Sequence, residues 1–225
     1  PMNYTDADGN FTGFDTELAT AVCEKLGVEP EFVEINWDTK IVELDAKSID
    51  CIWNGMTLTD DIMTNAACTK PYAKNAQVVV MKADAAYAST ADLAGKTVVV
   101  QATTKPEALL LDGGDPRIPE VRALLSMQKR ELIYAYLSKG YADAVAAHET
   151  SILQFMSDFG IEYRILDEPL QVVGLGVAFA LNDDRGLDTA LNAALADMRA
   201  DGTTRAILAK YLPDPDKYLE VDYGR

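Results

Sequence analysis

The sequence predicts an α/β fold in two lobes, each with a mostly parallel β-sheet flanked by helices. Strand-like apolar runs alternate with amphipathic helical runs over the first ~70 residues, which is typical of βαβ units. A second αβ series begins near Lys96–Gln101, and the chain then returns in the apolar segment Val173–Phe179. We therefore expect a discontinuous first lobe at residues 1–75 and 176–225, and a second lobe at residues 76–175.

The first element with a clear pattern is a helix. Leu18, Val22 and Leu26 recur at helical spacing after Gly13, and Gly27 follows directly. Apolar residues at this spacing predict one buried helix face, and glycine is the residue that most often ends a helix.

Two short strands and a second helix are expected next. The segments Glu31–Ile35 and Ile49–Trp53 are rich in β-branched and aromatic residues. After the second of them comes Gly-Met-Thr-Leu-Thr-Asp-Asp, in which Thr59 or Asp60 can serve as the N-cap of a helix. Alternatively, a strand that stops at a small residue and is followed by a hydroxyl is also typical of a ligand site at the edge of an open sheet.

The second lobe and the connections follow from similar patterns. Strands are expected at Gln77–Met81 and at Lys96–Gln101, and two more segments, Tyr72–Ala76 and Gln171–Leu175, are expected to link the lobes as hinge strands. Helices over residues 185–200 and 203–211 are expected to complete the first lobe.

Composition excludes several classes of function. The 225 residues carry a net charge of −16, so a phosphate backbone is a poor partner and we expect no nucleic acid. No apolar run approaches the ~18 residues that span a bilayer. Three scattered cysteines and a single histidine, His148, do not suggest a metal site, and no cofactor motif is present. A Cys51–Cys68 disulfide remains open, since spacing alone cannot establish the required geometry.

The order of these segments resembles that of a known family. Gly13-Phe14-Asp15, Trp37-Asp38, the segment Asn54–Thr59, Lys70-Pro71-Tyr72 and the Asp143-Ala-Val run occur at the spacings of the extracytoplasmic solute-binding proteins of ABC importers. The resemblance is to the branch that binds polar amino acids, family 3 of the bacterial extracellular solute-binding proteins. It covers essentially the whole chain and implies the type II periplasmic binding protein fold.

The resemblance also implies a function. Such a protein captures a small polar solute, an amino acid or a related molecule, between its two lobes and delivers it to an ABC permease. It is not an enzyme, it acts as a monomer, and it lies in the periplasm or on the cell surface as a lipoprotein of a Gram-positive organism. Family members have an apolar strand before the segment that here begins at Pro1, so we expect its ligand-facing residues to be missing from this sequence.

Several positions match the ligand-binding positions of the family. Trp37 corresponds to an aromatic wall, which a cationic ligand could contact through its π face. Asn54, Gly55, Met56 and Thr57 correspond to the floor of the site, where a carbonyl accepts from an ammonium group and a hydroxyl donates to a carboxylate.

Two positions depart from the family. Ile62 stands where family members carry the arginine that binds the α-carboxylate, and His148 stands five residues after Asp143, where they carry an aspartate that accepts the α-ammonium. Glu149 could still restore an anion there. Losing one partner of a buried charge pair commonly costs about 2 to 5 kcal/mol. The resemblance therefore implies a site at both positions but weakened recognition of ordinary α-amino acids.

A third element of the family site is retained in part. Gln101, Thr103 and Thr104 follow a predicted strand and precede Pro106, which suits the first turn of a helix. Backbone N–H groups at such a helix start receive a carboxylate in the family. The family glycine is replaced by Ala102, whose Cβ hinders close approach of the backbone to a ligand.

Two other functions remain open. The same two-lobed fold serves as the ligand-sensing extracytoplasmic domain of membrane receptors. It also occurs in dehydratase-like enzymes, and His148 with Glu149 could form an acid/base pair of that kind.

Overall fold

The structure, a computed structural model, describes residues 2–220. Pro1 and residues 221–225, which belong to the expected first lobe, lie outside the described residues. The chain divides into two compact units, the first running up to Lys74 and resuming at Val173, the second comprising Asn75–Val172. These limits fall within three residues of the lobe boundaries expected from the sequence.

The described residues form helices and strands in both units. The helices are α1 (Phe14–Leu26), α2 (Lys40–Asp45), α3 (Asp60–Asn65), α4 (Lys105–Asp112), α5 (Arg130–Ser138), α6 (Glu149–Phe159), α7 (Leu187–Ala200), α8 (Thr203–Ala209) and α9 (Pro215–Leu219). The strands are β1 (Tyr4–Thr5), β2 (Phe11–Thr12), β3 (Ala66–Cys68), β4 (Ala73–Lys82), β5 (Thr97–Gln101), β6 (Ala123–Met127), β7 (Ala144–His148), β8 (Tyr163–Ile165), β9 (Gln171–Leu175) and β10 (Ala178–Ala180).

The predicted first helix is confirmed. Helix α1 buries Leu18 and Val22, and Gly27 follows it in the left-handed conformation with φ of 74°. A side chain at that φ would be strained, so a glycine ends the helix at low cost. The helices expected at 185–200 and 203–211 are also present, as α7 and α8. None of the helices in the described part of the chain is long and apolar enough to cross a membrane.

The strand expected at Glu31–Ile35 does not form. Phe32 and Val33 are 44% and 54% exposed, and no described strand pairs with this segment. Of the second expected strand, Ile52 makes a single bridge to Ala178. Apolar alternation predicts a strand only where a neighbouring strand takes up the backbone N–H and C=O groups, and no described segment supplies that neighbour here.

The strands that do pair within the first unit are antiparallel. β1 pairs with β2, and β3 pairs with β10 in the register Ala66↔Ala180. The mostly parallel sheet expected for this lobe is therefore not seen among the described residues. The two segments that would have extended it, residues 31–35 and 49–53, form no ladder.

The second unit contains one mixed sheet. Its order is β6-β5-β7-β4-β8, with β9 pairing to β4. β5 is parallel to β6 and β7, whereas β4 is antiparallel to β7 and β8. Alternate residues of β4 and β5 face two apolar clusters, so both faces of the sheet are buried. The strands expected at Gln77–Met81 and Lys96–Gln101 are confirmed, while β6 was not expected.

The chain passes between the two units within β4 and β9. These are the two segments that the sequence predicted as connections, Tyr72–Ala76 and Gln171–Leu175. The three cysteines are free thiols, so the possible Cys51–Cys68 disulfide is not formed.

Candidate ligand-binding site

The floor segment predicted at residues 54–57 is held in place by a buried carboxylate. Gly55, with φ of 53°, donates its backbone N–H to Asp15 Oδ2. A Cβ atom at Gly55 would lie 2.9 Å from Cγ of Met2, which is closer than packing allows. Gly55 is thus required for a close approach within the protein, and its N–H is already used. Neighbouring Asn54 is exposed.

Asp15 is fully buried at the start of α1. Its second oxygen accepts a hydrogen bond from the Tyr72 hydroxyl at 2.7 Å. Burial raises the pKa of Asp15 to about 6, although hydrogen bonds from Tyr72 and Gly55 favour the ionised form and oppose that rise. The Asp15 carboxylate therefore connects α1 to the floor segment through Gly55. It also connects α1 to Tyr72, which lies just before the chain leaves the first unit at Lys74.

The floor segment also pairs with the returning chain. Thr57 forms an antiparallel bridge with Leu175, Gly176 donates its N–H to the Met56 carbonyl at 3.1 Å, and Leu58 donates to the Gly174 carbonyl at 2.9 Å. Thr57 is half-buried and its hydroxyl remains a candidate ligand contact.

Two predicted site residues lie in the hydrophobic core instead. Met56 and Ile62 are 2% and 7% exposed and pack in one cluster with Leu44, Ile52 and Ala178. Thr59 caps α3 by accepting from the Ile62 N–H, as expected, and this helix phase turns Ile62 inward. Met56 precedes Thr57 in the extended segment that is bridged to Leu175, where successive side chains point to opposite sides. The Met56 side chain points to the side of the cluster. Both side chains pack within this cluster, and their role as ligand contacts stays a prediction.

Trp37 is a surface residue and not a core tryptophan. It begins a short 3-10 helix, Trp37–Thr39, and is 42% exposed. The ammonium group of Lys40 lies 4.9 Å from the ring centroid, so the indole face already contacts a cation. The 42% exposure means that the rest of the ring surface is in contact with solvent.

The second unit brings the remaining predicted residues to one edge of its sheet. Gln101 ends β5 and His148 ends β7, and these strands are parallel neighbours. The carboxyl ends of parallel strands meet at the same edge, where α/β proteins bind ligands. The Gln101 side chain donates to the Gln128 carbonyl at 3.3 Å, which adds the segment after β6 to this edge.

The loop after β5 carries local strain at Thr103. Its φ is 62°, a left-handed conformation that a residue with a Cβ rarely adopts. The Thr103 N–H donates to Glu107 Oε1 at 3.1 Å, and Glu107 also accepts from the Ser126 hydroxyl. Thr104 donates its hydroxyl to the Gln101 carbonyl at 2.6 Å. One backbone N–H at this helix start, that of Thr103, is thus already bound by a carboxylate of the chain itself.

We expect Thr103→Gly to be more stable than Thr103→Ala by about 1 kcal/mol, because both remove the hydroxyl and only alanine keeps the Cβ strain. Urea denaturation of the two variants measures the difference. The same pair at Thr64, an exposed residue inside helix α3, is the control and should favour alanine. Equal stability of the Thr103 pair would contradict the strain.

A pocket at this edge contains three predicted residues and three that the sequence analysis missed. Its polar lining consists of Gln101, Thr104, Arg130, Tyr134, His148 and Ser151. Arg130 and Tyr134 lie on α5 and were missed because β6, the strand before that helix, was not predicted. Parallel-strand topology is the signal that could have found them, since it places the start of every following helix at the same edge.

His148 lies between β7 and α6 and is half-buried. Burial lowers its pKa below the ordinary value, so the imidazole is neutral at neutral pH. Glu149 is almost fully buried at the first position of α6 and already has an interaction partner. No group of three or more potential metal-ligating side chains occurs in the part of the chain that the structure describes.

Known proteins with similar sequences bind amino acids. Residues 1–214 match the bacterial extracellular solute-binding proteins, family 3. The histidine-binding periplasmic protein of Salmonella typhimurium is 34% identical, over 97% of this chain and 85% of that protein. The ABC transporter arginine-binding protein 1 of Escherichia coli is 28% identical, over 95% of this chain and 86% of that protein.

Solved structures agree with these relatives. An ancestral cationic amino acid solute-binding protein has a TM-score of 0.81 at 27% identity, covering 94% of this chain and 90% of that one. An ABC uptake transporter substrate-binding protein from Streptococcus pneumoniae with bound histidine has a TM-score of 0.77 at 27% identity, covering 96% and 89%. The expected α/β fold with two lobes is confirmed. The chain belongs to family 3 of the bacterial extracellular solute-binding proteins.

Proposed function

We propose that the protein binds an amino acid outside the cytoplasm and delivers it to an ABC permease. The observation that carries the proposal is the family match over residues 1–214. The polar pocket of the second unit agrees with it, because this pocket forms at the sheet edge where α/β proteins bind ligands. The relatives described above are named for histidine and arginine, so basic amino acids are the first ligands to test.

The expected weakening of amino acid recognition depended on Ile62 and His148. Ile62 is a core residue, so its lack of a charge does not by itself remove a ligand contact. Neutral His148 does not repel an ammonium group as an imidazolium would. The proposal therefore keeps α-amino acids as ligands and requires another group to bind the carboxylate.

Calorimetric titration with the twenty amino acids, ornithine and cystine tests the proposal. We expect at least one basic or polar amino acid to bind with a Kd of about 10 μM or tighter, a level that corresponds to roughly 7 kcal/mol. The protein should first be unfolded and refolded so that no retained ligand masks the site. Absence of binding by the whole panel would contradict the proposed function.

The protein is proposed to bind its solute without changing it, as a monomer. Mass spectrometry of the solute after prolonged incubation distinguishes binding from turnover, and light scattering during gel filtration gives the oligomeric state. Loss of solute with formation of a dehydrated product would favour the dehydratase-like alternative, with His148 and Glu149 as its acid and base.

Trp37 is expected to contribute to binding rather than to stability. Trp37→Ala should weaken ligand binding by at least about 1 kcal/mol, the size of a cation–π contact at a partly exposed site. Its effect on unfolding should stay well below the ~3 to 5 kcal/mol of a core Trp truncation. Trp37→Phe keeps an aromatic face and should restore most of the affinity. Unchanged affinity in the alanine variant would exclude Trp37 from the site.

A further inference from the structure

We propose that Arg130, together with Ser151 and Tyr134, binds the carboxylate of the solute in the pocket of the second unit. The inference rests on the proposed function. It names Arg130 as the residue that supplies the positive charge that Ile62 lacks. It assigns the carboxylate to a residue that neither the sequence patterns nor the family resemblance indicated.

Arg130 is a cation without a carboxylate partner among residues 2–220. It is the first residue of α5 and is half-buried, and it forms no salt bridge with any of the described acidic residues. Its Nη1 donates to the Ser151 hydroxyl at 3.2 Å. Among the described residues that line the pocket, only Arg130 carries a fixed charge, and its planar guanidinium matches a carboxylate through two parallel hydrogen bonds.

The Tyr134 hydroxyl supplies a second, independent indication. Tyr134 is 1% exposed and lines the same pocket, and its hydroxyl lies close to Ser151 without completing a hydrogen bond of normal geometry. A buried hydroxyl left without a partner costs about 1 to 3 kcal/mol. A carboxylate oxygen in the pocket would accept from it and remove that cost.

The backbone around the pocket also favours an anion. Helix α5 begins at Arg130 and helix α6 begins at Glu149, so the positive ends of two helix dipoles meet at this edge. The opposing charges are Glu149, which already has a partner, and Glu107, which is bound by Thr103 and Ser126. His148 contributes no positive charge at neutral pH, because burial lowers its pKa.

A comparison of amino acids with their decarboxylated amines tests the assignment. The wild-type protein should bind histidine and arginine much more tightly than histamine and agmatine. Arg130→Gln should weaken binding of the amino acid by at least about 30-fold, as for one partner of a buried pair, while leaving the amine unchanged. Tyr134→Phe should reproduce a smaller part of the same selective loss.

Arg122→Gln is the matched control, since it makes the same change at the opposite edge of the sheet, where Arg122 donates to the Thr97 hydroxyl at 3.0 Å. It should leave the preference for the amino acid intact. If Arg130→Gln also keeps that preference, the assignment is wrong while the proposed function stands.

A second measurement does not depend on the identity of the solute. The NMR resonance of Arg130 Nε–Hε should shift when acetate is added and should not shift with acetamide, which has the same shape without the charge. If the wild-type protein binds no amino acid but this resonance responds to acetate, the anion site stands and the proposed function fails. If acetate has no effect, the anion site is overturned.

Discussion

Ile62→Arg is expected to destabilise the protein by about 3 kcal/mol or more, although it recreates a residue type that family members carry at this position. Ile62 is 7% exposed and packs against Leu44, Ile52 and Met56. A guanidinium placed in that cluster would lose its hydration without gaining a carboxylate partner, and burying an unpaired charge is one of the most costly single changes.

Chemical denaturation of Ile62→Arg beside Ile62→Val measures this effect. The valine variant keeps the apolar contacts and should cost only about 0.5 to 1.5 kcal/mol. Binding should be measured at a temperature at which the arginine variant is still folded, and we expect no gain in affinity for amino acids. A variant as stable as the wild type with much tighter binding would show that position 62 faces the solute.

Asp15 is expected to make the protein less stable as pH rises from about 4 to above 6. The pKa of Asp15 is about 6 in the folded protein against an ordinary value of 3.8, because burial penalises the charged form. A carboxyl whose pKa is raised by folding contributes its stability fully below the unfolded pKa and loses it as pH rises through the folded pKa. The difference corresponds to roughly 3 kcal/mol.

Urea denaturation of the wild type and Asp15→Asn at pH 4, 5, 6 and 7 tests this expectation. Other acidic groups contribute in the opposite direction, such as Asp183, whose pKa Arg185 holds at about 2, so the informative quantity is the difference between the two proteins. Relative to the wild type, the asparagine variant should gain stability as pH rises.

Exposed Asp45, changed to asparagine, is the matched control and should show no such trend. A constant difference between wild type and Asp15→Asn across this range would mean that Asp15 is not held in the raised-pKa state. The asparagine variant loses one acceptor for Tyr72 or Gly55, which lowers its stability at every pH by about 1 kcal/mol and leaves the trend intact.

Local sequence patterns predicted those helices and strands whose packing partners lie nearby in the sequence or cover both faces of the element. Helix α1 follows from apolar spacing and Gly27, and β4 and β5 follow from continuous apolar runs buried on two sides. Residues 31–35 show equally good strand composition but remain unpaired, because pairing depends on a neighbour that composition does not reveal.

The candidate site was predictable only in part for a similar reason. Gln101, Thr104 and His148 were found because they stand at positions that match the ligand-binding positions of the family, and the structure brings them to one pocket. Ile62 was assigned from its position in a motif, but the side chain's direction depends on the phase of α3 against the cluster. Arg130 follows β6, whose half-buried residues give no strong strand pattern.

Glu107 affects how tightly an added anion can bind at the start of α4. Since its carboxylate is covalently tethered and already hydrogen-bonded to the Thr103 N–H, an arriving anion faces a competitor at a high effective concentration, commonly in the millimolar range for short tethers. Binding at the Thr103 N–H would be an exchange of one carboxylate for another, with little net change in charge pairing. A solute carboxylate therefore gains more where no internal anion has to leave first.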